Sequence, residues 1–294
     1  MARIAIFTER YTIRNSLELT ALTNFRMAAF ELGHELDFLF KTELKYLTRY
    51  DAVFIRALTD PLNSSYVAAR MAEMHGMRVL DQSESIRICC DKINMYARLQ
   101  AHKVAMPETC FMRETELNEH NAEKLFEEMG SPLVLKAPNS SFSAYVDKVS
   151  TPETFVQVGK RFLRRADRLV VQQYMPSSFD WRVVTLNGQI LAVIKYVFAQ
   201  DKWRLMDRTE EGEWAKVIGI PKEEANPKLI ETALAAANAI GKSLYGIDVK
   251  EVEGEFYIIE VNDNPTIAAG EEDQANPEIY EQIIRYLAGE DGIL

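Results

Sequence analysis

The run Tyr257-Ile258-Ile259-Glu260-Val261 reads as a strand that breaks into Asn262-Asp263-Asn264-Pro265. Strand side chains alternate between faces, so Glu260 and Asn262 point the same way. A carboxylate beside an amide oxygen makes a pair of hard ligands suited to magnesium. Asp248 stands between apolar Ile247 and Val249 in the preceding run, where a carboxylate asks for a partner. Register decides whether it joins, because facing residues of an antiparallel pair share one side of the sheet. A two-residue turn at Glu253-Gly254 sets Asp248 opposite Ile259. A three-residue loop over 253–255 sets it opposite Glu260. A metal site here therefore predicts the odd-length loop and three converging oxygens. It also predicts repulsion between Asp248 and Glu260 that raises the pKa of one of them without metal. The competing origin of these acids is plain decoration of a strand end.

A second cluster surrounds Asn187-Gly188, a strong two-residue hairpin signal. That turn pairs Leu186 with Gln189, hence Arg182 with Val193 and Asp180 with Lys195. Asp180, Arg182 and Lys195 then share one face. Two cations and an acid beside a metal suit a phosphate or a carboxylate; an ordinary cross-strand ion pair is the competing account. Two more lysines stand out. Lys136 ends the apolar run Leu133-Val134-Leu135, and Lys92 opens a helix directly after Asp91. A lysine at a helix N-terminus opposes the macrodipole, which an anion there would relieve. The four histidines are scattered, and Cys89-Cys90 has no histidine nearby in sequence, so no nucleophile constellation emerges.

The elements that must position these groups fall into two patterns. Strands over 2–7, 36–40, 52–56 and 77–80 alternate with helices over 16–32 and 62–75. That alternation predicts a parallel sheet, with ligands at the carboxyl ends of its strands, near Thr8 to Arg10 and Arg56. After about residue 90 the pattern changes. Helices are expected over 91–101, 117–129, 152–165, 227–244 and 276–287. Strands are expected over 133–136 and 145–149, then an antiparallel stretch over 169–174, 182–186 and 189–198, and a second hairpin over 247–252 and 256–261. Three lobes result, 1–90, 91–170 and 171–294, with linkers too short for free domains.

Composition sets the outer limits. The chain has 294 residues, enough for roughly two domains or a few lobes. Its 47% apolar and 27% charged residues exclude disorder as the dominant state. The net charge of −10 argues against general binding to nucleic acid or an anionic membrane. Three cysteines form neither a disulfide framework nor a metal pattern, which fits a reducing cytoplasm. No apolar run approaches the ~18 residues of a membrane helix. The N-terminus opens directly as a strand without a signal-peptide layout.

Together the motifs resemble the ATP-grasp ligases, specifically the RimK-like branch. The resemblance rests on Asp91-Lys92, Leu133-Val134-Leu135-Lys136, Val171-Gln172-Gln173-Tyr174-Met175, Asp180-Trp181-Arg182-Val183, Gly246-Ile247-Asp248 and Glu260-Val261-Asn262-Asp263-Asn264-Pro265. Single motifs are weak, but six in order over about 175 residues are specific. It implies a mixed α/β and α+β chain: an N-terminal Rossmann-like lobe and two α+β lobes clamping ATP in an ATP-grasp fold. It implies that Lys92 and Lys136 hold the α- and β-phosphates, and that Ser140 and Ser141 lie in the loop over the γ-phosphate. The backbone of Gln172, Gln173, Tyr174 and Met175 would read adenine, with Asp180 near the ribose. Asp248, Glu260 and Asn262 would bind two Mg2+ ions, with Mn2+ as a substitute. Arg182, Lys195 and Asn264 would stabilise the transferring phosphoryl and an acyl phosphate, and Arg56 would meet the carboxylate substrate.

The implied reaction joins a carboxylate to an amine as an amide through an acyl phosphate, by positioning and charge neutralisation. The implied partners are an amino acid such as glutamate and an amine on a peptide, protein tail or small molecule, handled by a homo-oligomer. The sequence departs from the family in two places. The loop 138–145 contains no glycine and ends in a bulky Tyr145, and Gln173 stands where an acidic residue is common. The loop change favours a second account, a catalytically weakened nucleotide-binding regulator or partner subunit; the complete metal set opposes it. A loop that covers a ligand must open, so residues 139–145 are expected to be mobile without nucleotide.

Overall fold

The computed structural model describes residues 1–10, 12–139, 145–199 and 216–290. Ser140, Ser141 and most of the 138–145 loop, with the mobility expected of it, lie outside the described residues. The apolar runs at the N-terminus form β1 (Arg3–Thr8), β2 (Glu35–Phe40), β3 (Ala52–Arg56) and β4 (Arg78–Leu80). They pair in parallel in the order β2-β1-β3-β4, and the near-continuous burial of β1 and β3 is what two covered faces require. Helices α1 (Ser16–Glu31) and α2 (Ser64–Met74) are capped by Asn15 and Asn63, whose side chains accept from the first-turn amides. Thr8 and Arg56 end neighbouring strands in register, and Thr8 Oγ1 donates to Arg56 O at 3.0 Å.

Helices α3 (Ser83–Cys89) and α4 (Lys92–Ala101) lead to a second sheet. It holds β5 (Thr109–Arg113), β6 (Leu133–Lys136), β7 (Val146–Val149) and β8 (Arg168–Gln173) in the order β5-β8-β6-β7. Helices α5 (Glu119–Met129) and α6 (Pro152–Leu163) accompany it. Sequence pattern groups 169–174 with the hairpin that follows; here β8 lies between β5 and β6, so Val171 to Gln173 belong to the second sheet. The boundary drawn at 170/171 therefore cuts a strand, and the chain leaves this sheet after Gln173. Strand β5 has no clear alternation and escapes a pattern search.

The third sheet runs β11-β10-β9-β12-β13. Its strands are β9 (Phe179–Leu186), β10 (Gln189–Val197), β11 (Lys216–Ile220), β12 (Leu244–Val252) and β13 (Glu255–Asn262). Helix α7 (Pro227–Ile240) stops at Gly241, short of the expected 244, and Leu244 already opens β12. One face packs Val183, Val193, Ile247 and Val249 against Ala233, Ala236 and Ile240 of α7. The other carries Val184, Ile194 and Tyr196 into a core shared with the first lobe and with α8 (Ile279–Ala288). Tyr280 of α8 meets Phe25 of α1 edge-to-face, with centroids 4.8 Å apart. Among the described residues no helix is long and apolar enough to cross a membrane.

Two bulges revise the registers expected from the turns. Asn187-Gly188 forms the expected turn and pairs Leu186 with Gln189, but the ladder shifts between Ile190 and Ala192. Arg182 then faces Ile194, Asp180 faces Tyr196, and Lys195 faces Trp181. Lys195 is therefore not on the face of Asp180 and Arg182. In the second hairpin the turn is the two-residue one, Glu253-Gly254 at φ +53° and +78°, pairing Val252 with Glu255. The odd-length loop is absent. Asp248 nevertheless faces Glu260, because Ile259 is an extra residue between the pairs Val249–Ile258 and Asp248–Glu260. A bulge re-aims every side chain beyond it by one face.

Candidate active site

The face of the third sheet that looks toward the first lobe gathers the charged residues. Asp248 neighbours Arg182 on one side and Glu260 on the other. Arg182 donates to both carboxylate oxygens of Asp248, through Nε to Oδ1 and through Nη2 to Oδ2 at 3.1 Å. Asn262 Nδ2 donates to Asp248 Oδ2 at 3.1 Å and to Gly246 O at 3.2 Å. Lys92, buried at the start of α4, holds Glu260 Oε1 at 2.8 Å. The anion that satisfies this helix-start lysine is the protein's own carboxylate. Each carboxylate thus has its own cation. Burial pushes Glu260 up, but Lys92, then Lys136 and Arg182, leave it below the usual carboxylate range. The raised pKa expected from repulsion with Asp248 is therefore not found at Glu260. Among the described residues no group of three or more His, Cys, Asp or Glu is arranged to hold a metal. The donor set on this face, two carboxylates and a side-chain amide, has the hard oxygens that suit magnesium.

Lys136, at the end of β6, is buried and donates to Tyr96 Oη and to Gln172 Oε1, both at 2.7 Å. Both direct partners are neutral. Burial lowers its pKa to about 7, against the upward pull of Glu260. Gln172 is itself fixed, its Nε2 donating to Thr109 Oγ1 at 2.9 Å. The Gln173 amide donates to Glu108 O at 2.9 Å, Tyr174 lies under Lys148 at 4.7 Å, and Met175 is nearly buried. Asp180 pairs with Lys250 at 2.5 Å rather than with Lys195. Burial raises its carboxyl to about 6 despite that lysine. Lys195 instead sits 3.6 Å from the Phe179 ring centroid and 5.0 Å from that of Trp181.

Arg56 joins the first lobe to the end of β13. Its Nη1 donates to Asn264 Oδ1 at 2.7 Å and to Pro265 O at 2.8 Å, while Asn264 Nδ2 donates to Ala57 O at 2.7 Å. Burial lowers the guanidinium's pKa, opposed by Asp81. Asp81 is wholly buried at the end of β4, and neither carboxylate oxygen has a hydrogen-bond partner. Burial, then Asp263, drives its pKa well above the ordinary value. Asp263 is raised to about 6, by burial first.

Several residues here escaped the sequence. Lys250 was within reach, since alternation places it on the face of Asp248 two residues on. Tyr96 stands one helical turn after Lys92, the spacing that puts two side chains on one face. Tyr196 replaces Lys195 on this face only because of the β10 bulge. Arg182 lies 5.7 Å over its ring, and its hydroxyl donates to buried Glu272.

A family model described as a RimK-like ATP-grasp domain matches residues 89–287. The chain is 26% identical over 254 residues to a glutamate–LysW ligase, ArgX, of Sulfolobus acidocaldarius, covering 83% of each chain. It is 24% identical to a probable alpha-L-glutamate ligase of Syntrophotalea carbinolica, covering 82% of this chain and 77% of that one. Two solved structures show the same fold. The D-alanine–D-alanine ligase of Bacillus anthracis complexed with ATP superposes at TM-score 0.73 and 16% identity, over 98% of this chain and 97% of that one. A RimK domain ATP-grasp protein of Sphaerobacter thermophilus gives 0.68 at 17% identity, over 97% and 99%. With most of its length inside the family match, the chain belongs to the RimK-like ATP-grasp family.

Proposed function

We propose that this chain, an ATP-dependent ligase forming carbon–nitrogen bonds, joins glutamate to a partner through an acyl phosphate. The relatives named as glutamate ligases support that choice of substrate. The observation that carries the proposal is one sheet face bearing Arg182, Asp248, Glu260 and Asn262 in register, with Lys92 on Glu260 and Lys136 joined to the same strand through the Tyr96 hydroxyl. Lys92 and Lys136 bind the α- and β-phosphates, and Lys136, with neutral partners only, is the cation best placed to accept a new anion. Residues 172–175 take the adenine, with Asp180 by the ribose. Asp248, Glu260 and Asn262 would hold the divalent metal that ATP-grasp ligases use, two Mg2+ ions in our assignment. The metal, when bound, screens the negative charge of the phosphates.

The chain's own contribution is a change of partners. Lys92 and Arg182 neutralise Glu260 and Asp248. Were the carboxylates to hold a metal, Lys92 and Arg182 would be able to turn to phosphate oxygens without either buried charge being left alone. Arg182 then faces the transferring phosphoryl group, and Arg56 with Asn264 holds the substrate carboxylate in line. Lys195 has no part in this, being on the opposite face. We place the protein in the cytoplasm, where its three free cysteines stay reduced; burial raises all three thiols. The test is ADP release with Mg2+, glutamate and pooled amines and carboxylates, followed by mass spectrometry. An amide product containing glutamate is expected. ADP release with products that lack glutamate would overturn the substrate assignment, and binding of ATP with no product in any pool would overturn the ligase proposal.

A further inference from the structure

Strand β13 is the edge of the third sheet, and its outward backbone groups need partners from elsewhere. Helix α4 and the segment after it supply them. The Ile258 amide donates to Ala105 O at 2.9 Å, and the Val261 amide reaches Met95 Sδ at 3.2 Å. Between them, Tyr96 Oη donates to Ile259 O at 2.6 Å. Ile259 is the extra residue of the bulge. Tyr96 is fully buried. A hydroxyl has one proton and two lone pairs. The proton serves Ile259 O, so the oxygen is free to accept from the Lys136 ammonium at 2.7 Å.

One oxygen thus touches both halves of the site. The bulge is what places Glu260 opposite Asp248; without it the two-residue turn would put Ile259 there and turn Glu260 to the α7 face. We propose that Tyr96 is a positioning residue whose hydroxyl pins the Ile259 bulge, keeping Glu260 beside Asp248, while the same oxygen aims the Lys136 ammonium. This rests on the nucleotide and metal roles proposed above for Lys136 and for Asp248, Glu260 and Asn262. Loss of the hydroxyl weakens nucleotide and metal binding together.

The test is calorimetric titration of the whole chain with the non-hydrolysable analogue AMPPNP over a series of Mg2+ concentrations. Wild type, Tyr96→Phe and Gln172→Leu are compared, with thermal melts for each. Tyr96→Phe is expected to raise the AMPPNP Kd about tenfold, the scale of one hydrogen bond to a charged group. It is also expected to raise the half-saturating Mg2+ concentration several-fold, with binding stoichiometry unchanged. Gln172→Leu removes the other acceptor of Lys136 but leaves Ile259 O bonded. It is expected to raise the AMPPNP Kd with the Mg2+ midpoint unmoved. A Tyr96→Phe protein with wild-type Kd and Mg2+ midpoint would overturn the inference. So would reduced stoichiometry at unchanged Kd, or loss of the fold in Tyr96→Phe, since both make the hydroxyl a stability element only. An equal Mg2+ shift in Gln172→Leu would overturn the bulge-pinning half. Wild type that fails to bind AMPPNP at any Mg2+ concentration would strike the nucleotide proposal itself, a distinct result.

Discussion

The hairpins β9–β10 and β12–β13 both turn through two residues of positive φ, Asn187-Gly188 and Glu253-Gly254, and both carry a bulge that shifts the ladder by one residue. The consequences are opposite. In β10 the shift follows the turn closely, between Ile190 and Ala192, and removes Lys195 from the face of Arg182. In β13 it comes late, at Ile259, and brings Glu260 onto the face of Asp248. A turn therefore governs register only as far as the next bulge. The settings differ as well. Strand β10 lies between β9 and β11, whereas β13 is an edge strand whose bulge carbonyl is taken by Tyr96 from a helix far away in sequence. One shift is enclosed by its own sheet; the other is held from outside it.

The largest expected effect falls on the residue that the β13 bulge brings in. Glu260→Gln keeps the side-chain size but removes the charge that balances Lys92 and serves the metal. Turnover, followed as ADP release, should fall by roughly two orders of magnitude or more with the circular dichroism spectrum unchanged. Normal turnover at limiting Mg2+ would show that the bulge serves nothing catalytic. Next comes Lys136→Met, which removes the ammonium held by Tyr96 and Gln172. AMPPNP affinity should drop by roughly tenfold or more in calorimetry. Unchanged affinity would break the link between the bulge and nucleotide binding.

A smaller effect is expected just beyond the end of β13. The carboxyls pushed up here are instead Asp81 and Asp263, by burial first, then by Asp263 acting on Asp81 and by Glu260 acting on Asp263; neither has a cation in direct contact among the described residues. A carboxyl whose folded pKa is raised contributes fully below its unfolded value, near 3.8, and that contribution is lost as the pH rises through the folded value. Asp81→Asn should therefore raise Tm at pH 7.5 by a few degrees and give no gain at pH 4. A gain equal at both pH values would refute the charge argument. Smallest of all should be Lys195→Ala. Because the β10 bulge turns this lysine to Phe179 and Trp181, turnover should stay within about twofold, with a stability loss near 1 kcal/mol for the ring contacts. A hundredfold loss of turnover would return Lys195 to the reaction and undo the contrast between the hairpins.

Much of this protein is legible in its residues. The buried runs Ile4 to Phe7 and Ala52 to Ile55, with Asn15 and Asn63 as caps, prescribe parallel strands and their crossover helices through local periodicity and capping alone. Gly241 was a readable stop for α7. The asparagine–glycine turn formed as expected, and the types of Lys92, Lys136, Arg182, Asp248, Glu260 and Asn262 are what suggested the phosphate and metal roles proposed above. Those features depend on neighbours within a few residues, which a sequence displays directly.

What only the tertiary structure decided is which of these groups meet. The sheet that β8 joins, the partner of Asp180, the turning of Lys195 to the other face and the approach of Glu260 to Asp248 all depend on contacts between residues distant in the chain. A bulge has no strong local signature at Leu191 or Ile259, because an extra residue is stabilised by whatever packs on it afterwards. For Ile259 that is the hydroxyl of Tyr96, 163 residues earlier in the chain. Local sequence sets the alternation of faces, but the count of residues between two facing side chains is settled by packing, and a change of one inverts the face.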